Sequence, residues 1–320
     1  MKNLLYSTTF IILLVSGISY GQQQGVYSNF LMNNYYYNPA IAGSTPSSEL
    51  NLGVRKQWVG FEGSPFILNA SFQGSIKNRG KIGLGGSILS ENVGITNRLG
   101  IYINYAQHFR LFKDVKLGLG VRPGFMQYSA KLYKAILADE DDKTLTGNTY
   151  SGSAFDVDMG FNVYSPKFFF MASFNNILRD AIRFAPYNSN LTMHINVIAG
   201  YNIKFPKKKF ELQPSLMLKY SKPVPLQLCA MLKATYNDMV WVGLLMRTND
   251  AVGISAGAKI KDQLWISYSY DYTLGRLIGY QTGSHEIGLS ILINNKKKSL
   301  SEKDEELNNS IMDSNKKNIK

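Results

Sequence analysis

From residue 49 to residue 294 the chain alternates between apolar and polar positions. In 99–109, Ile101, Ile103, Tyr105, Gln107 and Phe109 fall on one face, opposite Tyr102, Asn104, Ala106 and His108. In 193–205, Ile195, Val197, Ala199, Tyr201, Ile203 and Phe205 oppose His194, Asn196, Gly200, Asn202 and Lys204. In 154–164, Phe155, Val157, Met159, Phe161 and Val163 oppose Asp156, Asp158, Gly160 and Asn162. A period of two is the signature of a strand, because successive side chains point to opposite faces.

Extended over the chain, this reading predicts about fourteen strands. They cover 49–58, 64–76, 81–90, 97–112, 115–128, 153–165, 167–177, 192–205, 209–220, 225–237, 239–248, 251–260, 263–273 and 283–294. Most are longer than the ~5–6 residues of a globular strand and fit the ~9–11 that a tilted membrane strand needs. The connections sort by parity. The even ones are tight: Lys77-Asn78-Arg79-Gly80, Lys113-Asp114, Ser165-Pro166, Pro206-Lys207-Lys208, Asn237-Asp238 and Lys261-Asp262. The odd ones include the long stretches Ser129 to Gly152, Leu178 to Leu191 and Leu274 to Thr282. Short periplasmic turns and longer outer loops are the habit of bacterial outer-membrane barrels. The expected fold is all-β: a transmembrane, antiparallel, up-and-down β-barrel with both termini in the periplasm. An even strand count suits closure, which removes unpaired edges.

The N-terminus supports export. Lys2 precedes the apolar stretch Leu4 to Val15, and Ser19-Tyr20-Gly21 offers small residues for cleavage after Gly21. The expected organisation is a signal peptide at 1–21, an N-terminal segment at 22–48, the barrel at 49–294 and a flexible periplasmic tail at 295–320. The segment at 22–48 carries Tyr27, Phe30, Leu31, Met32 and the run Tyr35-Tyr36-Tyr37. It is too apolar to hang in water, so it is expected either to plug the barrel or to dock another periplasmic component.

Composition sharpens this picture. Charged residues make up 18% and aromatic ones 12%, with 20 tyrosines and 28 glycines. Tyrosines near strand ends fit aromatic girdles or plain β-propensity equally well. A single cysteine, Cys229, rules out an internal disulfide. The net charge of +13 would suggest nucleic acid or anionic lipid. The charges lie on the polar face of the strands and in turns, however. Glu49, Arg55, Lys81, Lys116, Arg122, Asp156, Asp158, Lys204, Glu211, Lys219, Lys233, Arg247, Lys259, Asp271 and Glu286 mix both signs, as a lumen ion-pair network would. An exported chain also rarely meets nucleic acid.

Little points to catalysis or cofactors. His108, His194 and His285 have no metal-ligand spacing, and no glycine-rich loop opens a helix. Asp139-Glu140-Asp141-Asp142 does not match a calcium loop and reads as a solvated acidic stretch. The expectation is no enzyme, no cofactor and no metal.

Three stretches together resemble a known family. The first is Tyr37-Asn38-Pro39-Ala40-Ile41-Ala42-Gly43. The second is Arg55-Lys56-Gln57-Trp58-Val59-Gly60-Phe61-Glu62-Gly63-Ser64-Pro65. The third joins Tyr270-Asp271-Tyr272-Thr273-Leu274 to Thr282-Gly283-Ser284-His285-Glu286-Ile287. In this order they are similar to the PorP/SprF proteins of the type IX secretion system, with Ile41 where an aromatic residue is expected. The resemblance implies an outer-membrane barrel that partners secreted substrates through their C-terminal targeting domain. It would support their secretion or surface anchoring, in some relatives of gliding adhesins, and other secretion components are possible partners. It implies no catalytic residue. The candidate structural or partner-binding positions are Asn38, Pro39, Ala40, Gly43, Trp58, Gly60, Phe61, Gly63, Pro65, Asp271, Tyr280, Gly283, His285 and Glu286. The competing reading is an outer-membrane channel or transporter of hydrophobic substrates. A filled lumen with aromatic loops would favour partner binding, and an open pore would favour transport.

Overall fold

The computed structural model of the chain describes residues 25–76, 81–131, 149–179, 181–184, 187–222, 224–260, 263–275 and 277–293. The expected signal peptide, the turns at 77–80 and 261–262, the acidic run at 139–142 and the tail at 295–320 lie outside these residues.

The strands are β1 (Ser48–Lys56), β2 (Phe66–Ile76), β3 (Ile82–Val93), β4 (Thr96–Arg110), β5 (Lys116–Lys131), β6 (Thr149–Tyr164) and β7 (Phe168–Asn175). A small hairpin follows, β8 (Ala181–Phe184) and β9 (Tyr187–Asn190). Then come β10 (His194–Tyr201), β11 (Ile203–Phe205), β12 (Phe210–Ser221), β13 (Val224–Tyr236), β14 (Val240–Arg247), β15 (Ala251–Ile260), β16 (Leu264–Thr273) and β17 (Ser284–Ile293). Apart from the hairpin, each strand pairs antiparallel with its neighbours in the chain, and β1 pairs with β17 to close the ring. Strands β10 and β11 both pair with β12, so they form one interrupted strand, and the closed barrel has fourteen.

The alternation works as a sorting rule. Along β14, Val240, Val242, Leu244 and Met246 point outward, while Trp241, Leu245 and Arg247 are buried inside. Val242 and Leu244 are 57% and 62% exposed, a position that large aliphatic side chains hold in contact with lipid rather than water. The faces read from the sequence match: Ile101, Ile103 and Tyr105 lie outside, and Asn104, His108, Asp156 and Asp158 inside. The lumen also has an apolar wall. Met217, Cys229, Met231, Trp241 and Leu245 join Tyr27, Phe30, Tyr35 and Tyr37 of the N-terminal segment in one core.

Three details depart from the sequence reading. The strand expected at 192–205 breaks at Asn202. There the backbone N–H donates to Lys167 O (2.6 Å) in the neighbouring turn, and the side chain bonds Pro166 O and the Gln213 amide. Strands β5 and β6 each run 16 residues, taking up both flanks of the expected loop at 129–152. The expected loop at 178–191 contains the β8–β9 hairpin, which packs on β6.

Counting the hairpin as part of one connection, the odd connections gather at one end of the barrel and the even ones at the other. These are called the long-loop and the short-turn end below. Ile293, the last described residue, pairs with Ser48 at the short-turn end. Gly25, the first, hydrogen-bonds Glu91 near the other end of β3. The ends of the described chain therefore lie at opposite ends of the barrel.

Candidate functional site

The N-terminal segment traverses the lumen, and every residue from Gly25 to Phe30 and from Tyr37 to Gly43 is buried. At its upper, long-loop end it meets a cluster of charges. Arg55 Nη2 lies 2.7 Å from Asp271 Oδ2, and Arg55 Nη1 lies 3.1 Å from Glu286 Oε2. Arg247 completes the group, 3.0 Å from Asp271 and 2.5 Å from Asp250. Glu286 accepts the backbone N–H groups of Ser28 (2.7 Å) and Asn29 (3.2 Å). The Ser28 hydroxyl donates to Asp271 and accepts from Arg55. Three carboxylates share two guanidiniums, and the buried charges are tolerable because each is paired and hydrogen-bonded.

Midway down, Asn34–Tyr37 forms a single helical turn. Arg122 is held by Asp158 (2.7 Å) and donates to the carbonyls of Tyr35 (3.1 Å) and Tyr36 (3.0 Å). A cation thus meets the carbonyl end of the turn, the favourable polarity for a helix terminus. The tyrosines stack edge to face, Tyr27 on Tyr36 at 5.1 Å and Tyr36 on Tyr37 at 5.0 Å.

Below this, the chain turns through Asn38-Pro39-Ala40. Asn38 is extended, as a residue before proline prefers. Its amide donates to the carbonyls of Phe161 (2.9 Å) and Ala172 (3.1 Å), and its Oδ1 accepts from Ala40 N–H (2.8 Å). Asn104 donates to Pro39 O, and His108 Nε2 lies 2.7 Å from Ala42 O. The wall here is glycine. A Cβ on Gly83 would sit 1.9 Å from Ala42 O, and one on Gly120 would sit 2.4 Å from Ala40 N. Gly43, at φ +72°, releases the chain toward β1.

The other candidate positions lie on the long-loop rim. The loop at 57–65 and the loop at 274–283 meet across the β1–β17 seam. Val59 N–H donates to Gly283 O (2.8 Å), and Thr282 N–H donates back to Val59 O (2.8 Å). Trp58 N–H donates to the Ser284 hydroxyl. Trp58, Gly60, Gly63 and Gly283 all take positive φ, which sets the tight path of this joint. Gly63 O accepts from Gly94 N–H, while the carbonyl of Pro65 accepts from Gln57 N–H. Phe61 and Ile278 are exposed, and Tyr280 is 72% exposed, so the joint presents apolar side chains.

The fold therefore divides the candidate positions into two groups. Asn38, Pro39, Ala40, Gly43, Asp271 and Glu286 serve the lumen, and Trp58, Gly60, Phe61, Gly63, Pro65, Tyr280 and Gly283 serve the rim. His285 belongs to neither. It points outward, 2.6 Å from the Tyr268 hydroxyl, while its neighbour Glu286 points in. Sequence reasoning missed Ser28 and the Glu91–Arg98 pair (3.3 Å). Glu91 lies one residue beyond the strand predicted at 81–90, and it becomes the cross-strand partner of Arg98 only in the longer β3.

The model of the type IX secretion system membrane protein PorP/SprF family matches residues 19–291. The chain belongs to the PorP/SprF family. With its closed barrel and outward apolar belt, this family member resides in the outer membrane. No curated protein matches it in sequence. Among solved structures it is similar to the CymD monoaromatic hydrocarbon channel, at 12% identity and TM-score 0.49, covering 85% of this chain and 93% of that one. It is also similar to a Pseudomonas aeruginosa FadL homologue, at 9% identity and TM-score 0.48, covering 80% and 92%. A third is the Acinetobacter baumannii outer membrane protein Omp33, at 8% identity and TM-score 0.42, covering 77% and 97%. At such identities the likeness concerns the barrel alone.

Proposed function

We propose that this barrel is a non-catalytic docking protein of the type IX secretion system. It binds secreted substrates through their C-terminal targeting domain at the long-loop rim and supports their secretion or anchoring at the cell surface. The short turns face the periplasm, and the segment at 25–43 serves as a permanent plug. One observation carries this reading: the lumen holds the protein's own N-terminal segment, fixed by charge at one end and by close packing at the other. A porin-like channel leaves that space open to water and solute. The rim formed by Phe61, Ile278 and Tyr280 then offers the apolar surface for a partner.

The test uses the full chain in lipid nanodiscs and the purified C-terminal domain of a type IX substrate from the same cell. Binding is expected, and Phe61→Ser with Tyr280→Ser should weaken it at least about tenfold, the loss expected when a central aromatic anchor is removed. In planar bilayers the intact protein should stay closed. Porin-like conductance together with no substrate binding would establish the channel reading instead.

A further inference from the structure

The short-turn end carries a feature that neither the plug nor the rim explains. Three turns adjacent around the barrel follow β4, β6 and β11, at 111–115, 165–167 and 206–209. Together they hold Lys113, Lys167, Lys207, Lys208 and Lys209. All five are exposed. The acid in the same turns is Asp114, while Lys204 faces the lumen, where it pairs with Glu211 at 3.7 Å. The cations thus form an arc on one side of the mouth. Just inside the arc, large apolar residues are exposed on the outer wall: Phe109, Phe112 at 72%, and Phe205. The aromatic rings mark where the lipid-facing belt ends, and the lysines lie one step farther toward water. Lysine stems lie along apolar surface while the ammonium reaches the polar layer. Charges at that depth meet headgroup phosphates before they meet soluble partners.

We propose that this arc is a binding site for the phosphate groups of anionic phospholipids in the periplasmic leaflet. The five ammonium groups supply charge complementarity, and the adjoining phenylalanines contact the acyl chains of the same lipids. The site biases the local lipid composition on one flank of the barrel. It rests on the short turns facing the periplasm, but not on the docking role of the rim.

The experiment uses the full chain, purified in detergent and stripped of lipid. Phosphatidylglycerol and phosphatidylcholine with identical acyl chains are titrated in parallel, and retained lipid is counted by native mass spectrometry. The intact protein should prefer phosphatidylglycerol about tenfold, with the preference shrinking as salt rises. Lys207→Gln with Lys208→Gln and Lys209→Gln should remove most of it. Lys113→Gln with Lys167→Gln, on separate turns, should remove part, so the test survives if one variant assembles poorly. Lys131→Gln with Lys222→Gln, at the opposite end, should change nothing. Equal retention of the two lipids overturns the proposal. So does a preference that survives both arc variants, or tight binding of lipopolysaccharide that only those variants abolish. Loss of a co-purifying acidic protein from the triple variant, with lipid preference intact, would assign the arc to a protein partner and overturn it as well.

Discussion

The two ends of the lumen segment are held by different physics. At the long-loop end, Ser28 and Asn29 are fixed by ions: Glu286, Asp271 and Arg55 clasp two backbone N–H groups and one hydroxyl. At the short-turn end, Asn38 to Gly43 are fixed by proximity. The backbone lies against Gly83 and Gly120 at distances no side chain would permit, and its polar groups are met by Asn104, His108 and Gln73. The first hold is long-ranged and sensitive to the loss of one charge. The second is short-ranged and sensitive to added volume. A segment anchored in both ways cannot slide along the barrel axis without breaking one of them.

The largest effect is expected at the ionic end. Arg55→Ala leaves Asp271 and Glu286 buried with less compensation, a change that costs about 3–5 kcal/mol. Urea unfolding of the lipid-embedded barrel, followed by the heat-modifiable shift on gels, should show a large loss. A loss below about 1 kcal/mol would mean that water already screens the cluster.

The packed end should respond to bulk instead. Gly120→Leu drives a side chain into Ala40, and overpacking of this kind costs roughly 1–3 kcal/mol, occasionally more. The barrel should still assemble, with the lower half of the segment displaced. Single-channel conductance and protease cleavage near Ile41 should both appear. If the barrel stays closed, the glycine wall is not what seats the segment.

Asn38→Ala separates packing from hydrogen bonding at the same end. It strands the carbonyls of Phe161 and Ala172 and removes the acceptor for Ala40 N–H, for about 1–3 kcal/mol. Amide hydrogen exchange should rise at Ala40 and Ala42 while Ser28 and Asn29 keep their protection. Exchange rising equally at both ends would show that the two holds act as one.

The smallest effect belongs to Ser28→Ala. It removes one hydroxyl from the ionic clasp but leaves the N–H bonds to Glu286, so roughly 0.5–1.5 kcal/mol is expected. A loss as large as that of Arg55→Ala would make the hydroxyl, rather than the charges, the centre of the clasp.

The two holds also differ in how far they could be read from the sequence. Asn38, Pro39, Ala40 and Gly43 stand together as a motif, because a tight path through a proline and a glycine needs those residue types in succession. The clasp is spread over Ser28, Arg55, Asp271 and Glu286, more than 200 positions apart in the case of Arg55 and Glu286. Arg55, Asp271 and Glu286 stand among the lumen charges and in the family-like stretches with nothing along the chain to pair them, and Ser28 carries no signal at all. The wall opposite was harder still. In β14 both faces are apolar except at Arg247, so alternation could not say that Trp241 and Leu245 point inward.

By itself the sequence determined the barrel: the period of two, the strand lengths, the sorting of long and short connections, and the family motifs. These follow from local rules, since a strand's two faces and its turns are set by residues within a few positions of each other. Only the tertiary structure decided what fills the barrel and how the rim is built. Closure of β1 on β17 brings Arg55 to Glu286 and zips Val59 to Gly283, and glycines on separate strands become a seat only when the ring is complete. Contacts between residues so far apart in the chain carry no local periodicity, so no pattern along the chain could announce them.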